Sequence, residues 1–241
     1  VRVAALYDIH GNLPALEAVV RELADEQVEA VVVGGDVVAG PFPEEVLTLL
    51  DSLEPDVRFI RGNADRELTA ESAAPEPWRT WLTDRMRPLR GRLDSWPEQL
   101  TLDVDGLGPT LFCHATPRND EEIFTDLTPD DVVAEMMTGV SAGVVVVGHT
   151  HMQTDRRVGE TRVVNAGSVG GPYEGRPGAF WALLGPDVDH RRTDYDVVGL
   201  LERVGATDFP EPDSYYRESL LEPSARADVA AFFENAARER R

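Results

Sequence analysis

Apolar runs alternate with helical stripes along the first half of the chain. Leu16, Val19, Val20 and Leu23 recur at i, i+3, i+4 and i+7 behind Asn12 and Pro14, which predicts a core-facing helix capped by Asn12. Pro43 leads a second stripe through Val46, Leu49, Leu50 and Leu53. The runs Val31-Val32-Val33 and Val144 to Val147 read as strands buried on both faces, and 57–60 as a further strand. Leu100, Leu102 and Val104 alternate, Gly106 and Gly108 turn the chain, and 110–113 is the partner strand. A helix is predicted at 129–138, with shorter strands near 156–165 and 178–184.

Two stretches break the pattern. Residues 71–97, with Pro75, Pro77, Trp78, Trp81, Trp96 and Pro97, read as a flap-like insertion around one short helix. The tail, about 206–241, has a Pro-rich stretch near 210–212 and a last helix at 224–239 carrying Phe232 and Phe233. It is expected to pack on the body or on another subunit, so a homo-oligomer is compatible with it. No repeat or long linker interrupts the chain, and residues 1–241 are expected to form one α/β domain, with antiparallel pairing concentrated in the second half.

Composition narrows the function. In 241 residues, 44 acidic side chains face 23 basic ones, every one of them Arg, for a net charge of -21. Extended nucleic-acid binding needs clustered Lys and Arg to displace counterions, and no such block is present. The single Cys113 closes no intramolecular disulfide. The opening run of Val1 to Tyr7 is too short for a secretory leader, and no apolar run nears the ~20 residues of a membrane span. The expected setting is cytoplasmic.

Five apolar runs end in metal-capable groups: Asp8 and His10, then Asp36, Asn63, His114, and finally His149 with His151. Four of the five histidines fall in this set; His190, amid Asp189, Arg191 and Arg192, reads as a surface residue. Side chains at the carboxyl ends of separate strands can converge on one spot. Asp8/His10 and His149/His151 each place two donors at i and i+2, which point the same way if the backbone is extended. Seven mixed N/O donors exceed one tetrahedral zinc and suit two ions sharing a carboxylate. Each piece also has a plain reading. Arg61-Gly62-Asn63-Ala64-Asp65-Arg66 taken alone is turn chemistry, with Gly62 ending the strand sharply, and Gly34-Gly35-Asp36 and Gly148-His149 are compatible with tight turns.

The series Asp8-Ile9-His10-Gly11-Asn12, Gly35-Asp36 with Gly40-Pro41, Gly62-Asn63-Ala64-Asp65, His114 and Gly148-His149-Thr150-His151 resembles the calcineurin-like metallophosphoesterase superfamily over about residues 1–185. Order and spacing resemble its small bacterial and archaeal single-domain phosphodiesterases. The resemblance implies a four-layer αββα sandwich of two mixed β-sheets flanked by helices. It implies one divalent ion held by Asp8, His10, Asp36 and His151 and another by Asp36, Asn63, His114 and His149. Manganese is the first expectation, with iron, zinc, nickel or magnesium as alternatives. A hydroxide bridging the ions would attack phosphorus, with Asp36, Asn63 and His114 as the catalytic set and Asn12 and Arg118 contacting a small phosphoester. Asn165 to Gly170 is similar to a glycine-rich loop of that subgroup, or else a turn supporting the histidine loop.

One position departs from the family. Many relatives place His directly after the Asn ligand, where it protonates the leaving oxygen; here it is Ala64. Asp65, water or the substrate would then supply that proton. Cys113, beside His114 on a strand, reads as core rather than nucleophile. The leading expectation is a metal-dependent phosphodiesterase acting on a small or nucleotide-like substrate. A phosphomonoesterase is the rival within the enzyme class, and a non-catalytic scaffold, like the retromer subunit of this fold, is the rival outside it.

Overall fold

The computed structural model describes residues 1–69, 76–210 and 220–240. Among the described residues, ten strands form two five-stranded sheets. In the first, β1 (Val3–Leu6), β2 (Ala30–Val33) and β3 (Asp56–Phe59) run parallel, and β9 (Ala179–Leu184) and β10 (Val188–Thr193) extend it antiparallel, in the order β10-β9-β1-β2-β3. In the second, β5 (Gly108–Cys113), β6 (Val144–Val147) and β8 (Thr161–Asn165) run parallel, with β4 (Gln99–Val104) and β7 (Thr154–Val158) antiparallel at the edges.

Successive side chains of a strand point to opposite faces, and this alternation builds the layers. Val3, Ala5 and Tyr7 meet Val144, Val146 and Phe112 between the two sheets. Ala4, Leu6, Val31 and Val33 face a helical layer that includes α1 (Leu13–Leu23) and α2 (Pro43–Asp51). On the far side, Val145, Val147 and Val163 pack on α6 (Asp130–Met136). The result is the four-layer αββα sandwich of two mixed sheets. The Tyr7 hydroxyl, fully buried, donates to the Val146 carbonyl at 3.0 Å and ties the sheets together just below the strand ends.

The 71–97 segment differs from its expectation; residues 71–75 lie outside the described residues. Instead of one short helix it forms α4 (Pro77–Met86), a 3-10 turn (Arg87–Leu89) and α5 (Arg90–Asp94), after α3 (Asn63–Thr69). Leu82, Met86, Leu93 and Trp96 are buried in the core cluster beneath the first sheet, so these helices are part of the outer layer. Trp81 packs edge-on against Phe209 at 5.2 Å.

Three further elements were missed, α3, α7 (Val197–Gly205) and β10. Asp196 caps α7 by accepting from Gly199 N, and β10 is a half-exposed edge strand. The last helix, α8, spans Arg226–Arg240. The stretch near 210–212 lies outside the described residues beyond Pro210. No helix among the described residues is long and apolar enough to cross a membrane.

Candidate metal centre

The donors do converge at the strand ends, but not through extended backbone. Asp8, His10, Asp36, His149 and His151 have φ of 52°, 47°, 52°, 64° and 58°, and among the described residues no other non-glycine residue has positive φ. Gly enters this region freely and Asn, Asp and His more readily than other residues, but holding a non-glycine residue there still costs on the order of 1 kcal/mol. The strain is concentrated on the donors. Each i, i+2 pair is therefore aimed by two left-handed residues flanking Ile9 or Thr150, which corrects the extended-pincer expectation.

Two clusters form within the pit. In the first, His10 Nε2 lies 3.2 Å from His151 Nε2, which is 3.3 Å from Asp8 Oδ1. In the second, His114 Nε2 lies 3.5 Å from Asp36 Oδ2 and 3.1 Å from Asn63 Oδ1. Asp36 Oδ2 is also 3.8 Å from His10 Nε2, so it faces both clusters. The His149 ring lies against that of His114, centroids 5.2 Å apart. All seven expected ligands are thus gathered in one place.

Backbone groups fix the orientation of these side chains. The Gly34 carbonyl accepts from His114 Nδ1 at 2.9 Å and the Gly171 carbonyl from His151 Nδ1 at 2.6 Å, which leaves each Nε2 pointing inward. Ala64 N donates to Asp36 Oδ1 at 2.8 Å and His149 N to Asp8 Oδ2 at 2.9 Å. Glycines allow the approach. A Cβ on Gly62 would stand 2.2 Å from Asp36 Oδ1, and one on Gly148 would stand 2.4 Å from Asp8 Oδ2. Gly62 is needed for that contact rather than to end the strand, since its φ is not positive.

The carboxylates and imidazoles shift one another's protonation strongly. Burial opposes a charge on His114, but Asp36 and Asp8 outweigh it and raise its pKa to about 10. His151 is raised in the same way, against burial, by Asp8. Burial and then the charge of His114 lower His149 to about 4, and burial and then His151 lower His10. Asp36 and Asp8 stay well ionised despite their burial, Asp36 through His114 and Asp8 through His151. Asp8 Oδ1 and His149 Nε2 are buried without a hydrogen-bond partner. His149 Nε2 without a hydrogen-bond partner and Asp8 Oδ1 facing three imidazole nitrogens at 3.3, 3.9 and 4.0 Å fit divalent cations, and the N/O donor set suits borderline or hard ions.

The supporting residues depart from expectation in three places. Asn12 is fully buried: its Oδ1 accepts from Ala15 N and its Nδ2 donates to Gly170 O at 2.8 Å and Tyr195 Oη at 3.0 Å. With its amide engaged on both sides, it is a helix cap that ties α1 to the glycine-rich loop and does not contact substrate. Asp65 is fully buried, with Oδ1 accepting from Val37 N and Oδ2 from Gly62 N. Burial and then Asp36 push its pKa up to about 7. Closed off from solvent, it braces the two ligand loops rather than delivering a proton to a leaving group. His190 is half-buried on β10, its Nε2 2.9 Å from Asn165 O, because its ring turns into the sheet edge rather than toward solvent.

Other expectations match the geometry. Ser168 Oγ donates to Asp8 O, and Asn165 Nδ2 donates to Gly148 O, so the glycine-rich loop supports both ligand loops. Cys113 is buried, and burial raises its thiol pKa, as befits a core residue. Arg118 is 40% exposed and paired with Glu122 and Glu135, and it lines with His114 a cleft of about 200 Å³. Arg66, which the sequence did not single out, is paired with Asp120 and Glu121 in a neighbouring cavity of about 760 Å³ that Arg118 also lines.

Comparison with known proteins agrees with this geometry. The chain is 28% identical over 195 residues to the phosphodiesterase YfcE of Escherichia coli, covering 75% of this chain and 85% of that protein. A metallophosphoesterase from Sphaerobacter thermophilus has the same fold, with TM-score 0.74, 24% identity, and coverage of 92% of this chain and 98% of that one. So does the hypothetical protein PH1004 from Pyrococcus horikoshii OT3, with TM-score 0.76, 24% identity, and coverage of 87% and 94%. Residues 1–185, which carry every donor described above, match the calcineurin-like phosphoesterase superfamily domain, and the chain belongs to that superfamily.

Proposed function

We propose that this phosphoester hydrolase is a di-metal phosphodiesterase acting on a small or nucleotide-like phosphodiester. The observation that carries the reading is the convergence of seven N/O donors on one buried spot, with His149 Nε2 left without a hydrogen-bond partner. Asp8, His10, Asp36 and His151 would hold one ion, and Asp36, Asn63, His114 and His149 the other. Manganese is the first choice for this mixed N/O set. When bound, two such ions make hydroxide available near neutral pH and neutralise charge on the phosphoryl oxygens.

The chain's own residues supply orientation. Gly34 and Gly171 hold two imidazoles by Nδ1, and Ala64 N holds Asp36 so that Oδ2 faces both clusters. Arg118, on the cleft beside His114, is placed to receive a phosphate oxygen once its carboxylate partners yield. Ala64 has no proton to give and Asp65 is enclosed, so neither stands in for a general acid that is typically worth ~100- to 10,000-fold. The substrate must therefore leave easily or draw its proton from water.

A diester with a good leaving group meets the first condition, and it carries less charge than a monoester toward a protein of net charge -21. The relative named a phosphodiesterase supports the same choice. The test is manganese-supported turnover of a bis-aryl phosphodiester beside the matching aryl phosphomonoester. Preference for the diester is expected. A strong monoester preference overturns the substrate class, and absence of turnover with both metals bound favours a scaffold.

A further inference from the structure

The C-terminal helix α8 lies beyond the residues that match the superfamily domain, yet it reaches a metal-ligand candidate through two aromatic rings. Tyr173 stacks on His151, with centroids 5.1 Å apart and planes 14° apart. Phe233 of α8 meets Tyr173, with centroids at 5.8 Å and planes 54° apart. Tyr173 is therefore held between a ring of the site and a ring of the helix.

The backbone and the ion pairs of the same region close the brace. Tyr173 N donates to His151 O at 3.1 Å, and Gly171 O receives His151 Nδ1. At the start of α8, Arg226 donates to Gln153 O at 2.9 Å, two residues beyond His151, and pairs with Glu174 at 3.2 Å and Asp126 at 3.0 Å. Glu174 also accepts from Gln153 N. Farther along, the buried Glu234 accepts from Thr128 Oγ1 at 2.6 Å. Both segments that position His151, 151–153 and 171–174, are thus fastened to α8.

We infer that Tyr173 and Phe233 are positioning residues for His151, so that the C-terminal helix sets the affinity of the metal site formed with Asp8 and His10. An imidazole anchored by polar contacts at its ring nitrogens can still tilt about the line that joins them. A ring stacked on its face removes the tilt, and a second ring keeps the first in place. Partners beyond the direct ligands typically change metal affinity ~10- to 100-fold. The inference rests on the metal-binding part of the proposed function and not on its substrate class.

The test is competition between the full-length protein and a chelator for Mn²⁺, with total metal by mass spectrometry and thermal unfolding of the metal-free protein alongside. Phe233→Leu keeps the volume close but removes the ring, and Tyr173→Leu does the same one layer in. Each is expected to weaken one of the two binding steps ~10- to 100-fold and leave the other within about threefold, while Phe233→Tyr, which keeps the ring, restores wild-type binding. A lower melting temperature with both metal steps unchanged overturns the inference, because a purely structural contact would behave that way. If wild type binds metal with this response but hydrolyses no phosphoester, the proposed function fails and the brace stands. If wild type binds no metal, both fail.

Discussion

The two sheets contribute unlike halves of the site. The first sheet delivers the oxygens, Asp8, Asp36 and Asn63, together with His10, whereas the second delivers only imidazoles, His114, His149 and His151. Their supports are opposite as well. The carboxylates are held by N–H donors, Ala64 N on Asp36 and His149 N on Asp8, and two of the imidazoles by carbonyl acceptors, Gly34 O and Gly171 O. Two of these four supports cross the sandwich: a second-sheet amide orients Asp8, and a first-sheet carbonyl orients His114. Neither half is organised without the other, which explains why Tyr7 spans the gap directly beneath them.

The largest effect is expected from Asp36→Asn, which removes the carboxylate facing both clusters. Turnover should fall at least ~1,000-fold and metal content should drop below that of wild type, measured by kinetics and mass spectrometry on the same samples. Activity within tenfold of wild type would show that the two halves do not share this group. Next comes Gly62→Ala, whose Cβ would stand 2.2 Å from Asp36 Oδ1. A loss of about 1–3 kcal/mol in denaturant unfolding is expected, together with weaker metal binding, because Asp36 must move. Unchanged stability and binding would mean that the close approach is not needed.

A third effect separates the halves by charge. With its pKa raised to about 10, His114 of the metal-free protein is protonated near neutral pH, and Asp8 raises His151 in the same direction. Metal loading at pH 8 should release at least about one proton per chain, readable by calorimetry in buffers of different ionisation enthalpy. Affinity should therefore rise with pH. In metal-free protein the His114 contribution to stability runs the other way: it is complete below its ordinary value of 6.5 and lost as pH rises through about 10. The smallest effect is expected from Arg118→Ala, a rise in KM of up to about tenfold with kcat nearly unchanged, since its exposed guanidinium already shares carboxylate partners.

The candidate ligand positions stood out because each follows an apolar run, and the strands end at Val33, Phe59, Cys113 and Val147. The four layers were expected only through the family resemblance; the continuous valine runs by themselves required no more than strands covered on both faces. What pattern alone did not carry was conformation and partnership. Nothing in Asp8-Ile9-His10 signals that its donors sit in the left-handed region, since that is imposed by contacts such as His10 N to Asp36 O. Asn12 has the same signature whether it caps a helix or meets a substrate, and only its bond to Gly170 O decides. Asp65 joins loops 28 residues apart, a relation invisible to local spacing. The missed α7 was readable from Asp196 followed by Val197, Leu200, Leu201 and Val204, whereas β10 is an edge strand with too little apolar alternation to stand out.

The central claim is that both sheets together hold two ions. Mass spectrometry of the purified, manganese-loaded protein, with anomalous scattering from its crystals, tests it most directly. The account predicts two metal ions per chain, one beside Asp8, His10 and His151 and one beside Asn63, His114 and His149, with Asp36 next to both. A single ion contacting residues of one sheet only, or none, would contradict it.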